Sequence, residues 1–304
     1  MNLLDLFNED LISSVLRSLI PILLAALGGM LAERVGIFNI GLEGMLLVGA
    51  FAGVAASYFT HNWVVGVIVA MLAGMLFSLI LGYGAVYRKG DPIVLAIAMN
   101  ILAVGMTSFL IVAVFDVQGV FQDPGIDGIP TWRIPFLADI PWIGALFALT
   151  PLGYLALLLV PTLWIVLFRT PLGLRMRGVG ERPLAAATMG VNPQRYQLGA
   201  VLASGALAGL GGAQLALGNV VLFGENMSAG RGWIAVVVVM LARAHPVGVL
   251  GAALLFGFAD AIGFRLQSFG LPQQLTDAGP YVLTLLVLIL MSGRFRKTRE
   301  AAVA

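Results

Sequence analysis

Residues 92–115, PIVLAIAMNILAVGMTSFLIVAVF, contain no charged side chain. At a helical rise of about 1.5 Å per residue they would extend about 36 Å, enough to cross the roughly 30 Å hydrocarbon layer of a bilayer. A run this long and this apolar predicts a transmembrane helix. Its flanks orient it. Arg88 and Lys89 precede it, whereas the 116–142 loop that follows holds Asp116, Asp123, Asp127 and Asp139 against a single Arg133. Basic loops stay on the cytoplasmic side, so the helix runs from inside to outside.

Working outward, comparable runs recur at about 11–32, 40–59, 64–86, 143–168, 196–218, 246–264 and 279–292. A shorter apolar segment, 233–242, rises only about 15 Å as a helix. It reads as one arm of a broken or re-entrant element, or as part of a longer tilted helix. Over the whole chain of 304 residues, 60% are hydrophobic and 11% charged, and the mean hydropathy is +1.00. A soluble domain could not bury that much apolar surface. The expected fold is all-α: a polytopic helical bundle of about eight to ten transmembrane helices, with residues 1–304 as one membrane domain. Small residues four apart mark faces where helices touch: Gly49/Gly53, Gly74/Ser78/Gly82, Ala253/Gly257/Ala261, and above all the run GALAGLGGAQ at 205–214.

Eleven of the 17 Lys and Arg residues fall into three clusters. These are Arg88 and Lys89; Arg169, Arg175, Arg177, Arg182 and Arg195; and Arg294, Arg296, Lys297 and Arg299. All three are expected inside. The side of the N-terminus depends on Asn39–Gly44: three full crossings before Arg88 place it outside, a broken segment there places it inside. The first ten residues lack the basic region of a signal peptide, so targeting is expected to use the first span.

Several functions are disfavoured by composition. The chain has no cysteine, which removes disulfides, iron–sulfur clusters and thiolate zinc sites. Its two histidines, His61 and His245, are far apart, and no HExxH, Gly-x-Ser-x-Gly or carboxylate cluster occurs. No catalytic set, metal site or cofactor is expected. A net charge of +2 spread over many loops forms no nucleic-acid surface.

The longest polar stretch is RTPLGLRMRGVGERPLAAATMGVNPQRY, 169–196. Within it, ERPLAAATMG (181–190) reads as a short isolated helix. Pro183 suits its first turn, Gly190 its stop, and Asn192-Pro193 the start of the next helix. Alanines 185–187 keep it slim. A small helix held between two spans on the inner face is what a channel needs if a cytoplasmic motor is to push on it; the plain alternative is a surface loop whose arginines only set topology.

The stretch resembles the coupling loop of importer permeases in the branched-chain amino acid, ribose and nucleoside class of ABC transporters. Two further stretches carry the resemblance, ERVGIFNIGLEGMLLVGAF (33–51) and GRGWIAVVVVMLARAHPVGVLGAALLFGFADAI (230–262). The first is similar to the segment typical of the nucleoside and simple-sugar subgroup. The resemblance implies a type II-like importer permease in the bacterial inner membrane, in contact with lipid. It implies a second permease subunit, identical or similar, ATP-binding subunits below, and an extracytoplasmic solute-binding protein above. It also implies that 169–196 is the coupling loop, with Gly180, Glu181, Arg182, Pro183, Ala185, Ala186, Ala187 and Gly190 in its coupling element. The chain has no G-x-x-x-x-G-K-[ST], so ATP hydrolysis would belong to the partners.

Polar residues stranded in apolar runs are candidates for the translocation path: Asn39, Glu43, Asn100 and Gln214. A carboxylate inside the bilayer costs about 2.5–3.5 kcal/mol on insertion scales unless paired or wetted. Glu43 therefore needs a partner, with Arg34 or an arginine of another span as options. Asn39, Asn100 and Gln214 could equally bond a neighbouring helix. Asp260 is expected in an interfacial or interhelical pair, and Asn219, Glu225, Asn226 and Arg231 on the outer side. Of possible cargoes, nucleosides come first, then simple sugars, then branched-chain amino acids. The competing reading is an ion-coupled secondary carrier that uses Glu43 or Asp260; an enzyme acting on lipid is disfavoured by the missing catalytic set.

Overall fold

The structure, a computed structural model, describes residues 9–135, 140, 144–267 and 282. Asp139, all but one residue of the span expected at 279–292, and the basic cluster at 294–299 lie outside the described residues.

Ten α-helices follow one another among the described residues: α1 (Glu9–Glu33), α2 (Leu42–Thr60), α3 (Trp63–Val86), α4 (Pro92–Phe115), α5 (Pro151–Arg169), α6 (Pro171–Glu181), α7 (Pro183–Thr188), α8 (Pro193–Ala213), α9 (Arg231–Leu241) and α10 (Pro246–Gln267). Seven of them are long and apolar enough to cross a membrane: α1 to α5, α8 and α10. A π-helical turn, Gln214–Val220, extends α8.

The helix starts follow capping chemistry. Asp91, Thr150, Thr170 and Asn192 each accept a backbone N–H from the first turn they precede, with proline at the next position. This explains why the run expected at 143–168 becomes helical only at Pro151. Residues Gly144–Phe147 form a 3-10 turn, and β3 (Ala148–Leu149) pairs antiparallel with β2 (Trp132–Arg133). A second small pair joins β1 (Val120–Phe121) to β4 (Phe223–Gly224). The α6 helix was not foreseen, because three glycines within PLGLRMRGVGE weaken its propensity.

The core is built on backbone contact. A Cβ on Gly49 would lie 2.5 Å from Cα of Gly209, and one on Gly74 would strike the Gly205 carbonyl. A Cβ on Gly212 would meet the Leu46 carbonyl. The glycine run of α8 thus lets α2 and α3 close on it from two sides, as the spacing predicted. The α1 span is 89% buried, against 28% for α4 and α5. So α1 stands at the centre and α4 and α5 present apolar faces outward.

One question of topology is answered here. Near its start, α1 meets the outer loops: the Arg17 carbonyl accepts from Asn219. Its far end, at Arg34, meets α6 and the turn after α9 on the face of the arginine-rich segments. The start of α1 therefore lies on the outer face. Asn39–Gly44 is indeed a break, but one inside a full crossing: residues 34–41 re-enter as a non-helical strap, and α2 completes the passage outward.

Candidate functional site

Three of the four polar residues singled out above meet at this break. Asn39 is buried; its Oδ1 accepts from Gly41 N at 2.9 Å, and its Nδ2 donates to Ser204 Oγ of α8 at 2.9 Å. Asn100, projecting from α4, accepts from Gly44 N at 2.9 Å and donates to the Ile40 carbonyl at 3.1 Å. It satisfies the first turn of α2 from outside, because the N-cap residue Gly41 has no side chain to do so.

The Glu43 carboxylate, also buried, finds neither Arg34 nor another arginine. Its Oε1 accepts from Gly230 N at 2.9 Å and its Oε2 from Gly232 N at 2.6 Å. Both donors belong to the start of α9, where Gly230 takes φ +83, a left-handed conformation open to glycine. Gly232 is needed for a second reason, since a Cβ there would overlap the Glu43 backbone. The first turns of α2 and α9 therefore meet, and the positive ends of both helices face the carboxylate.

The depth of this junction follows from helix rise. Glu43 is about 26 Å along α2 from its outer end, and Asn100 about 12 Å along α4 from its inner end. The junction thus lies roughly a third of the way in from the basic face. From there α9 runs back to that face.

The strap itself holds the turn that follows the other end of α9. Arg34 Nε donates to the Ala244 carbonyl at 2.6 Å and Nη2 to the Arg243 carbonyl at 3.4 Å. Glu43 thus meets the N–H end of α9, and Arg34, nine residues earlier, holds the turn just beyond its other end. Arg34 and Arg177 of α6 both lie on the Phe168 ring, 5.4 and 5.0 Å from its centroid, and His245 packs against the same ring. Burial, then the nearby Arg177 charge, lowers the Arg34 pKa from its ordinary value, against the raising effect of Glu181 and Glu33. A cleft of about 350 Å³ opens here, lined in part by Glu33, Arg34, Arg177, Glu181 and Arg243.

Gly180 joins this junction to the arginine-rich loop. A Cβ on it would collide with the Arg34 carbonyl and come within 3.3 Å of Gly36 N. Glu181 ends α6 and Arg182 separates it from α7. The short helix predicted at 181–190 forms as α7, with Pro183 in its first turn, Ala185–Ala187 along it and Gly190 at φ +80 behind it. No residue of α7 is fully buried; Leu184 and the following Met189 are 85% and 83% exposed.

Gln214 stands apart from the break. Fully buried at the start of the π-turn, it accepts from Thr150 Oγ1 at 2.7 Å and donates to Asn219 Oδ1 at 3.1 Å, beside an outer cleft that Arg17 and Arg133 also line. Arg231, expected in an outer loop, instead opens α9 and reaches Asp260 of α10 at 3.9 Å. The glycines on either side of Arg231 were the signal for this, since they let α9 start inside the protein rather than at its surface.

A family model described as branched-chain amino acid transport system / permease component matches residues 11–291. The guanosine ABC transporter permease protein NupQ of Bacillus subtilis is 39% identical over 292 residues, covering 90% of this chain and 89% of that protein. The nucleoside ABC transporter permease protein NupC of Lactococcus lactis is 35% identical over 290 residues, 90% of this chain and 89% of its own. The Haloferax volcanii permease TsgC13, provisionally named for glucose, is 35% identical over 297 residues, 96% of this chain and 88% of its own.

Proposed function

The chain belongs to the branched-chain amino acid transport system permease family, a multi-pass, non-catalytic membrane component of ABC transporters in the inner membrane, and on that premise we propose how it works and what it carries. Its cargo is a nucleoside or a related simple sugar, the class named for its relatives. Its path lies between this chain and a second permease subunit. A solute-binding protein delivers cargo from outside, and separate ATP-binding subunits supply the energy.

The observation that carries the coupling role is the exposed α7 between two spans, joined through Gly180 to the strap. Gly180, Glu181, Arg182, Pro183, Ala185–Ala187 and Gly190 form an element that a cytoplasmic subunit can grip. Displacing it moves α6, then residues 34–36, and through Arg34 and Glu43 the turn after α9 and its start. In this reading Asn39, Glu43 and Asn100 shape the wall of the path by holding the break open, and Gln214 secures its outer end.

An ion-coupled carrier would need a carboxylate free to exchange a proton or sodium ion. Both Glu43 oxygens are engaged by backbone N–H groups, and Asp260 faces Arg231. Reconstitution tests the point. Liposomes holding the chain with its second permease, ATPase and binding protein are expected to take up guanosine or ribose only with ATP, and the chain alone to take up neither under a proton or sodium gradient. Robust gradient-driven uptake by the chain alone would sink the permease reading.

A further inference from the structure

We propose that Trp233, in the first turn of α9, lines the water-filled path and is the platform on which the ring of a passing solute stacks. The identity of the ring rests on the cargo reading above; the water access does not.

The water access follows from backbone chemistry. After β4, which pairs with β1 of the outer loop, residues 226–230 descend without forming a helix to Gly230 at the Glu43 junction. The Phe223 ring packs on Phe51 at 5.2 Å, and Phe51 lies about 12 Å along α2 from Glu43, to which Gly230 is bonded. Glu225, bonded to Gly119 of the outer loop, marks the outer end of this segment, and Ala229, one residue before the Glu43 junction, is exposed. Irregular backbone at membrane depth is tolerated only inside protein or along a wet cavity, and an exposed residue such as Ala229 is not inside protein. This face is therefore wet, and α9 continues it toward the basic side.

Trp233 is where the wet face becomes helical. It is 42% exposed, although its neighbours Gly232, Ile234, Ala235 and Val236 are buried. Helical side chains tilt toward the N-terminus, which aims the indole back toward the irregular segment. Tryptophan at a membrane surface usually marks the water interface. Trp63, Trp132 and Trp164 fit that rule, at the start of α3, in β2 and beside Arg169. Trp233 does not, because it sits at the level of the Glu43 junction. An indole face can stack on a nucleobase or on the apolar face of a sugar, and its Nε1–H can meet a hydroxyl.

The absence of native cysteine makes the test clean. In the full complex, Trp233→Cys and Ala229→Cys are expected to react with a membrane-impermeant thiol reagent during turnover, and guanosine or ribose to slow the reaction at position 233. Leu76→Cys, 60% exposed on α3, is the lipid-facing control. Labelling of Trp233→Cys no faster than that control would overturn the proposal. For stacking, Trp233→Phe is expected to keep kcat/KM for uptake within about threefold, and Trp233→Ala and Trp233→Leu to lose tenfold or more. Rescue by leucine as good as by phenylalanine would reduce the residue to bulk and overturn the stacking role. A wild-type complex that carries neither solute would defeat the cargo reading instead, while the labelling would still decide whether Trp233 faces the path.

Discussion

Glu43 is tolerated in a hydrophobic bundle because both of its oxygens end on backbone N–H groups at a helix start, so its charge is met by aligned peptide dipoles rather than by a cation. Charge-assisted bonds of this kind contribute about 1.5–3 kcal/mol each. Glu43→Ala is therefore expected to lower stability by roughly 2–4 kcal/mol, since two buried donors lose their acceptor. Glu43→Gln should lie between that and wild type, because its amide keeps one acceptor and turns a second donor toward Gly230 or Gly232. Thermal unfolding in detergent measures both; an alanine variant that melts with the wild type would show that water replaces the carboxylate and that the cap is dispensable. Residue type alone exposed Glu43 as costly, but its partner could not be read, since a backbone N–H 187 positions away leaves no trace in composition.

The elements proposed to couple are α6 and α7, and they differ in how visible they were. Proline, alanine and glycine at the right offsets mark α7 in the sequence. In contrast, α6 is glycine-rich, and its glycines have tertiary reasons: Gly173 lies against the Leu167 backbone and Gly180 against that of Arg34. Gly180→Ala should push α6 off the strap. The expected result is ATP hydrolysis that continues while uptake falls at least tenfold, measured on the same proteoliposomes. Leu184→Asp alters only an exposed side chain, so insertion and melting should be unchanged while the ATPase subunits bind more weakly in a pull-down from detergent. Wild-type uptake in both variants would remove the coupling role from this loop.

At the scale of the whole molecule, the bundle depends on α8 approaching α2 and α3 at backbone distance. Gly209→Val would place a branched side chain against the Ala70 carbonyl and Cα of Gly74, and it is expected to abolish the folded, monodisperse protein in size-exclusion chromatography. Gly105→Ala, with nothing within 4 Å of its new Cβ, should fold normally and gain up to about 1 kcal/mol from helix propensity. Equal behaviour of the two would mean that the close packing is incidental. The sequence by itself determined the membrane, seven of the spans, the inner face and the short helix α7, because each rests on local properties: apolar length, the placement of arginines, and proline or capping residues at a helix end. Only the tertiary structure decided that Asn39, Glu43 and Asn100 share one junction while Gln214 serves another, and that α9 starts at Glu43 and ends in a turn held by Arg34. Those are long-range pairings between backbone and side chain, formed where helices have already packed, and no local pattern of residues encodes which distant N–H a buried carboxylate will meet.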